Sequence, residues 1–336
     1  MENRAVTRCP VCSCESTQTI NRFSPEQAAQ HFVLREASPK RNRELTSYIA
    51  GLWGGGDCAV RKCDHCGFGF ADPYLSGDMT FYNLAFERTS YPGDKWEFRR
   101  TLVELSSMSF YGARVLEAGS GVGFFLDKIV DKYVPRSGVV ALEFSDAAIK
   151  VLREKGYVAL QEDLRSAGLA ECFDAIFMFQ VVEHMDRLDS LFANVSRLLR
   201  NHGVLFIAVP NPRFTAFNEQ NGALLDMPPN HIGRWTPAAF QILGTRHGLR
   251  LDRHEIEPFS LGPFIIRDIA DSYIRRSQSA GTLENWSRRY RLAKYGKLIE
   301  GAAAAVAAPC RMNVWRRAAS ARDLGNSLWA KFTKVE

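Results

Sequence analysis

The first chemical signal in the chain is a pair of Cys-x2-Cys knuckles, whose thiols are those of Cys9, Cys12, Cys63 and Cys66. In a chain without a signal peptide, such pairs are metal ligands more often than disulfides. Four thiolates at this spacing predict a closed, tetrahedral Zn²⁺ site with a structural role. Cys14, Cys58 or His65 could replace one ligand, and reduced core thiols without metal are the alternative to the whole site.

A second signal is an apolar segment that runs directly into three glycines spaced two residues apart, Gly119, Gly121 and Gly123. Glycines let the backbone approach a bound nucleotide, and a helix that follows them presents free N–H groups. Glu117, two residues before the first glycine, suits an amine-bearing ligand and is a poor neighbour for a pyrophosphate. The spacing also differs from the Gly-x-Gly-x-x-Gly fingerprint of dinucleotide enzymes. By itself the loop is compatible with a dinucleotide enzyme or a methyltransferase, and an NAD-dependent dehydrogenase fits it poorly.

Alternating strand and helix patterns around the glycine loop predict a parallel α/β sheet. The predicted strands are Arg114–Ala118, Gly138–Phe144, Tyr157–Gln161, Phe173–Phe179, Gly203–Val209 and Leu249–Ile256. The predicted helices are Phe124–Lys132, Ala147–Glu154, Leu188–Leu199 and Pro237–His247. We expect residues 1–70 to be rich in loops, 77–110 to be mostly helical, 264–322 to be helical, and Ser327–Phe332 to form a last short strand.

Polar residues follow the predicted strands at the edge where ligands bind in such sheets. Glu143 ends the second strand, where its carboxylate can accept hydrogen bonds from two ribose hydroxyls. Asp163 and Leu164 follow the third, where a carboxylate can bind an adenine amino group. Gln180 follows the fourth strand, on the rim of the cleft. A helix-capping charge at Glu143 and a turn aspartate at Asp163 are the structural alternatives.

In their order, these motifs resemble those of class I S-adenosylmethionine-dependent methyltransferases, in particular the small-molecule and sugar methyltransferases with a zinc-binding N-terminus. The matching motifs are Glu117-Ala-Gly-Ser-Gly-Val-Gly123, Glu143, Asp163, Phe173-Asp174, Val182-Glu183-His184 and Gly203. The resemblance covers residues 77–260. It implies that Glu117 and the glycine loop hold the methionine end of the cofactor, that Glu143 binds the ribose, and that Asp163 with Leu164 frames the adenine. Tyr82 lies in a connector that folds over the cofactor in this family, with core packing as its alternative role.

The resemblance also implies the domain organisation. A Rossmann-like, seven-stranded methyltransferase sheet would be formed by residues 77–261 and 323–336, because Ser327–Phe332 is similar to the antiparallel last strand of that fold. Residues 1–76 would form a zinc-knuckle module, and residues 262–322 a helical insertion before the last strand.

The residues that act on the methyl acceptor are less clear from the sequence. Methyl transfer to a hydroxyl or a carbon acid requires positioning of two reactants and removal of a proton. His231, in Pro228-Pro229-Asn230-His231, is predicted to be the base, because the loop after the fifth strand opens at the same sheet edge as the glycine loop. A histidine that only packs the loop is the alternative. His184 is expected to shape the cofactor rim or to cap a helix.

The charge and composition of the chain indicate which kinds of partner it is expected to bind. The net charge is +6, and residues 260–336 carry 14 Lys/Arg against 6 Asp/Glu. This basic third favours a phosphate-bearing small-molecule acceptor or peripheral contact with an anionic membrane surface, and nucleic acid is less favoured because no aromatic–basic stacking strip is present. With no signal peptide and no long apolar run, we expect a cytoplasmic enzyme that methylates a sugar, sugar nucleotide or glycolipid precursor. The alternatives are a zinc-containing RNA methyltransferase and a non-enzymatic binding protein on the same fold.

Overall fold

The structure is a computed structural model that describes residues 7–86, 93–108, 112–169, 173–221, 227–278, 309 and 311–335. The chain divides into two compact units, Met1–Glu257 with Asn326–Glu336, and Pro258–Gly325. The second unit contains the segment 262–322 that the sequence predicts to be an insertion.

The N-terminal region is more regular than the loop-rich prediction. Its elements are β1 (Thr17–Phe23), α1 (Pro25–Phe32), α2 (Pro39–Leu52), β2 (Cys58–Cys63) and β3 (Gly69–Asp72). Ser24 and Gln27 form a capping box at the start of α1, and a proline occupies the first position of α1 and of α2. The loop-rich prediction is therefore wrong, because Ser24 and Pro39 are signals for the start of two helices in this region.

Two helices follow in the connector, α3 (Met79–Ala85) and α4 (Trp96–Ser106). Asp78 caps α3 by accepting hydrogen bonds from the backbone N–H groups of Thr80 and Phe81 at 2.8 and 3.1 Å. The mostly helical prediction for this region agrees with these two helices; residues 87–92 and 109–111 lie outside the described residues.

The elements of the catalytic region alternate as predicted. They are β4 (Val115–Ala118), α5 (Leu126–Ile129), β5 (Val139–Leu142), α6 (Asp146–Glu154), β6 (Val158–Leu160), β7 (Phe173–Phe179), α7 (Leu188–Leu198), β8 (Leu199–Pro210), α8 (Pro212–Gln220), β9 (Gly233–Arg234), α9 (Pro237–Arg246), β10 (Leu249–Ile256) and β11 (Ser327–Lys334). The predicted strands are all present, with ends that differ by a few residues except at β7 and β10, whose bounds are the same. The helix α5 is shorter than the predicted Phe124–Lys132, and α8 and β9 were not predicted.

Seven strands form one sheet in the order β10-β11-β8-β7-β4-β5-β6. β11 is antiparallel to both of its neighbours, and the pairs among β4 to β8 are parallel. The predicted Rossmann-like α/β class with an antiparallel last strand is confirmed. The four-stranded sheet β1-β2-β3-β9 is separate, and it joins the N-terminal region to β9 from the catalytic region.

Helices cover both faces of the seven-stranded sheet. Because successive strand residues point to opposite faces, Val115 packs with α4, α5 and α6, whereas Leu116 packs with α7 and α9. Strands covered on both sides consist almost entirely of apolar residues, as in the buried run of β7. Polar groups at the strand ends are therefore the ones that remain available for a ligand.

The unit Pro258–Gly325 contains α10 (Leu261–Gln278) and a second helical segment at 311–320. Asp268 is buried and accepts hydrogen bonds from Arg311 and from the Trp315 indole, which ties the two helices together. The helical prediction for residues 279–308 lies outside the described residues. No helix in the described part of the chain combines the length and the apolar character that a bilayer crossing requires.

Candidate active site

Glu117, at the carboxyl half of the central strand β4, is a buried acid with an incomplete set of partners. Its side chain is 3% exposed, and its Oε2 has no hydrogen-bond partner among the described residues. Burial raises the pKa of Glu117 well above its ordinary value, opposed in part by the charge of Lys95. A ligand that brings a positive charge or an N–H donor would stabilise such a buried carboxyl most.

The glycine loop after Glu117 has the geometry that the sequence predicts. Gly119, Gly121 and Gly123 have positive φ angles of 68°, 54° and 82°, a region that favours glycine. A Cβ on Gly119 would lie 2.5 Å from Cγ2 of Val181. The loop therefore packs directly against the segment that follows β7, and the two chain segments line the same side of the sheet edge.

Glu143 is held at this edge by backbone groups. Its Oε2 accepts a hydrogen bond from the N–H of Gly121 at 2.7 Å, and its Oε1 accepts from Phe144 and Ser145 at 2.8 and 3.0 Å. The carboxylate thus connects the glycine loop to the start of α6. It is placed beside the loop as predicted, although ribose binding by Glu143 stays a prediction.

Asp163 has strong partners within the protein. Arg165 donates to both of its carboxylate oxygens, and Arg187 lies 3.4 Å away. Burial would raise the pKa of Asp163, but these charges outweigh it and hold the pKa below its ordinary value. Leu164 is buried, and its carbonyl accepts a hydrogen bond from Asn194. Adenine binding by Asp163 and Leu164 stays a prediction, and it would have to coexist with the Arg165 pair.

Gln180 directly follows β7 and has a positive φ of 59°. The Gln180 amide donates to Oε1 of Glu97 at 3.1 Å and to Oγ of Ser327 at 3.4 Å. The amide is therefore fixed by protein partners, and the predicted contact with the cofactor stays a prediction.

The turn after β7 and the loop after β8 bring Glu183, His184 and His231 together; one ligand atom from each lies within 4.8 Å of the others. The His184 and His231 rings are 4.6 Å apart between centroids, and Nε2 of His184 is 3.9 Å from Oε1 of Glu183. We call these three residues the histidine cluster. Tyr82 contacts it, with its hydroxyl 3.2 Å from Nδ1 of His184, and burial raises the pKa of this tyrosine.

The sequence predicts His231 as a site residue. For His184 it predicts a role at the cofactor rim or as a helix cap, and it names Glu183 only as part of a motif. The sequence signal that could have placed them together is the motif Val182-Glu183-His184, which follows the predicted strand Phe173–Phe179. This motif lies at the same edge of the sheet as the loop that carries His231. The motif predicts a shared edge, whereas the contact between the two histidines depends on how the later loop folds back.

Backbone hydrogen bonds on both sides hold the His231 loop. The N–H of Ile232 donates to the carbonyl of Glu183 at 2.9 Å, and the carbonyl of Ile232 accepts from Ala71 at 2.9 Å. β9, which follows immediately, pairs with β3. The N-terminal sheet therefore fixes the position of His231 relative to Glu183.

The cysteine cluster has the geometry of a tetrahedral metal site. The Sγ atoms of Cys9, Cys12, Cys63 and Cys66 all lie within 4.8 Å of one another. The Cys9–Cys66 and Cys12–Cys63 distances are 3.6 and 3.5 Å, too long for disulfides and close to the roughly 3.8 Å between thiolates that share a Zn²⁺ ion. None of the proposed replacements Cys14, Cys58 and His65 belongs to this group.

Ionisation in the cysteine cluster is uneven without a cation. A hydrogen bond from the Cys66 thiol lowers the pKa of Cys9 to about 5, whereas burial raises the pKa of Cys12 to about 11. The thiolate form is therefore favoured at Cys9 and disfavoured at Cys12, where a nearby positive charge would stabilise it.

Comparison with known proteins agrees with this geometry. Residues 116–207 match the family described as "Methyltransferase domain". A ubiquinone biosynthesis O-methyltransferase from Mesorhizobium japonicum is 28% identical over 156 residues, which are 45% of this chain and 60% of that protein. A protein described as a probable S-adenosylmethionine-dependent methyltransferase from Mycolicibacterium smegmatis is 32% identical over 145 residues, 41% of this chain and 51% of that protein.

Among solved structures, an S-adenosylmethionine-dependent methyltransferase from Mesorhizobium loti is 13% identical and has a TM-score of 0.44, covering 72% of this chain and 100% of its own. The chain spans between half and two thirds of the length of the curated relatives it matches. Residues 116–207 of this chain belong to a class I, S-adenosylmethionine-dependent methyltransferase domain.

Proposed function

We propose that the chain transfers a methyl group from S-adenosylmethionine to a hydroxyl or carbon of a small molecule, such as a sugar, a sugar nucleotide or a glycolipid precursor. The observation that carries the proposal is Glu117, a buried carboxyl two residues before the glycine loop, whose Oε2 has no hydrogen-bond partner among the residues that the structure describes. The relatives described as ubiquinone biosynthesis O-methyltransferases support a small-molecule hydroxyl as the acceptor class.

The residues present fit the cofactor. Glu117 would face its α-amino group, the glycine loop would approach its backbone closely, and Glu143 would receive the ribose hydroxyls. When bound, the cofactor supplies an electrophilic methyl group on a sulfonium. The protein's own task is to align the acceptor, exclude water and remove the acceptor proton, which we assign to the histidine cluster with His231 as the predicted base.

The cysteine cluster fits a structural Zn²⁺ ion. Four thiolate ligands would leave no open coordination position on the ion, so we assign this site no part in the chemistry. Zn²⁺ would supply a positive charge that stabilises the thiolates.

The cofactor assignment is tested by Glu117→Gln, which preserves the shape of the side chain and removes its charge. Loss of a charge-assisted hydrogen bond should weaken S-adenosylmethionine binding by roughly 10- to 100-fold, measured by calorimetry. Glu154→Gln, at an exposed position on α6, is the matched control and should bind normally. Equal affinity in the two variants would remove Glu117 from the cofactor site.

A further inference from the structure

The glycine loop accepts a hydrogen bond from the lysine that directly follows α6. Nζ of Lys155 donates to the carbonyl oxygen of Val122 at 2.8 Å. Val122 lies between Gly121 and Gly123, whose φ angles are both positive. A hydrogen bond from a charged donor is stronger than one between neutral groups. Lys155 is therefore placed to fix the direction of one particular carbonyl in the loop.

The same ammonium group is paired with Asp127, just after the loop. Nζ of Lys155 lies 2.6 Å from Oδ2 of Asp127, and the Tyr157 hydroxyl donates to Oδ1 at 2.9 Å. The N–H of Asp127 in turn donates to the carbonyl of Gly123 at 2.9 Å. The Lys155 and Asp127 side chains are 31% and 40% exposed, so the pair by itself contributes little to stability. Its effect is to restrict Nζ to a position from which it reaches the Val122 carbonyl.

The backbone around Lys155 is also fixed relative to the loop. The carbonyl of Lys155 accepts a hydrogen bond from Nη1 of Arg136 at 2.7 Å. A Cβ on Gly123 would lie 2.8 Å from Cδ2 of Leu152 and 3.5 Å from Cε2 of Tyr157. The loop thus packs against the residues on both sides of Lys155 in sequence, and the lysine needs no rearrangement to reach it.

The peptide that joins Val122 to Gly123 needs such a partner because glycine accepts a wide range of φ and ψ angles, so this peptide can rotate more easily than most. Its N–H donates to the carbonyl of Ser120 at 2.9 Å, and its carbonyl accepts from Lys155. A reversal of the peptide would break both bonds and turn its carbonyl oxygen towards that of Ser120. Lys155 supplies the charged one of the two bonds that oppose this reversal.

We propose that Lys155 is a positioning residue for the methyl donor, which holds the Val122–Gly123 peptide in the orientation that lets the glycine loop receive S-adenosylmethionine. This inference rests on the proposed function, because it concerns the cofactor site. Lys155 acts through the loop, so its effect falls on cofactor affinity. If the peptide samples both orientations, the apparent affinity is reduced by the fraction of chains in the competent one.

The test is a calorimetric titration of the full chain with S-adenosylmethionine. Lys155→Met removes the charge and keeps most of the apolar stem, and it should raise the Kd by roughly 5- to 30-fold, as expected for the loss of one charge-assisted hydrogen bond. Lys155→Arg keeps a cationic donor and should recover most of the affinity. Lys150→Met is the matched control and should bind normally, because Lys150 is exposed on α6 and its Nζ lies 4.0 Å from Glu154.

Hydrogen exchange of the cofactor-free chains supplies a second readout, which a general loss of stability would not reproduce. Amides in residues 119–125 should exchange faster in Lys155→Met than in the wild-type chain, and Lys155→Arg should reverse most of this change. Amides in β7 should exchange at the same rate in all the chains.

Wild-type affinity in Lys155→Met would overturn the proposal. An equal loss of affinity in Lys155→Met and Lys155→Arg would overturn it as well, and so would faster exchange throughout the seven-stranded sheet. A wild-type chain that does not bind S-adenosylmethionine would instead reject the proposed function, so the two failures are distinguishable.

Discussion

The cysteine cluster and the histidine cluster are connected by the same short strand, yet they differ in how completely the protein surrounds them. β3 begins shortly after Cys66, and near its other end Ala71 donates to the carbonyl of Ile232, next to His231. At the first cluster the four Sγ atoms lie within 4.8 Å of one another. At the second, the two imidazoles are partly exposed and the carboxylate is buried.

This difference bears on whether an incoming molecule can bind at each site. A closed set of four ligands can only stabilise the fold, because an incoming molecule finds no free position. Glu117 is the opposite case, because its buried Oε2 has no hydrogen-bond partner in the described part of the chain and can bind a ligand that donates to it. Three changes test this contrast, in order of expected effect.

The largest effect is expected from Cys63→Ser. Structural zinc contributes on the order of 10 kcal/mol of binding free energy to the fold that holds it. The variant should lose about one equivalent of zinc, and the N-terminal sheet should unfold at a lower temperature, measured by metal analysis and thermal denaturation. Cys14→Ser changes a cysteine outside the cluster and should retain the metal. A Cys63→Ser chain with unchanged stability would show that this closed cluster is dispensable.

The next effect is expected from His231→Ala. Turnover should fall by roughly 10²–10⁴-fold, the usual contribution of a group that removes a proton directly or that helps to activate the acceptor. Affinity for S-adenosylmethionine should change little, because His231 lies on the loop after β8 and not on the glycine loop. Steady-state kinetics and calorimetry separate the two quantities. A parallel loss of cofactor affinity would assign the histidine a structural role.

The smallest effect concerns Glu117 in the absence of cofactor. Because burial raises its pKa in the folded chain, the folded state keeps a proton that the unfolded state releases, so stability should decline as the pH rises above the ordinary carboxyl value. Glu117→Gln should remove this decline and be more stable at pH 8 by about 1–3 kcal/mol. Denaturant titrations at pH 5.5 and pH 8 would measure it, and an equal decline in both proteins would contradict it.

Much of the seven-stranded sheet could be predicted because central strands such as β7 are buried on both faces and almost entirely apolar. The bounds of β7 and of the edge strand β10 are the same as predicted, and the helix face of α7 was visible in its apolar spacing. β9 has only two residues and leaves no pattern. It forms through pairing with β3, a partner far away in sequence, so local propensity carries no information about it.

The residues of the candidate site also differ in how far their positions could be predicted from the sequence. Glu117, the glycine loop and Glu143 lie within or next to single elements, and their positions follow from the order of strands along the chain. The histidine cluster depends on a loop that folds back between two sheets. Its members could be placed at one edge of the sheet from sequence, but the 4.6 Å contact between His184 and His231 could not.

The way in which the chain leaves and re-enters the seven-stranded sheet has a practical consequence. The N–H of Glu257 donates to the carbonyl of Ser327 at 2.9 Å, and the N–H of Asn326 donates to the Glu257 carboxylate at 3.2 Å. The two ends of the segment 258–325 are therefore adjacent, in the manner of a tolerated domain-insertion point. A short glycine–serine linker that replaces residues 258–325 should therefore join β10 to β11 and leave the seven-stranded sheet intact.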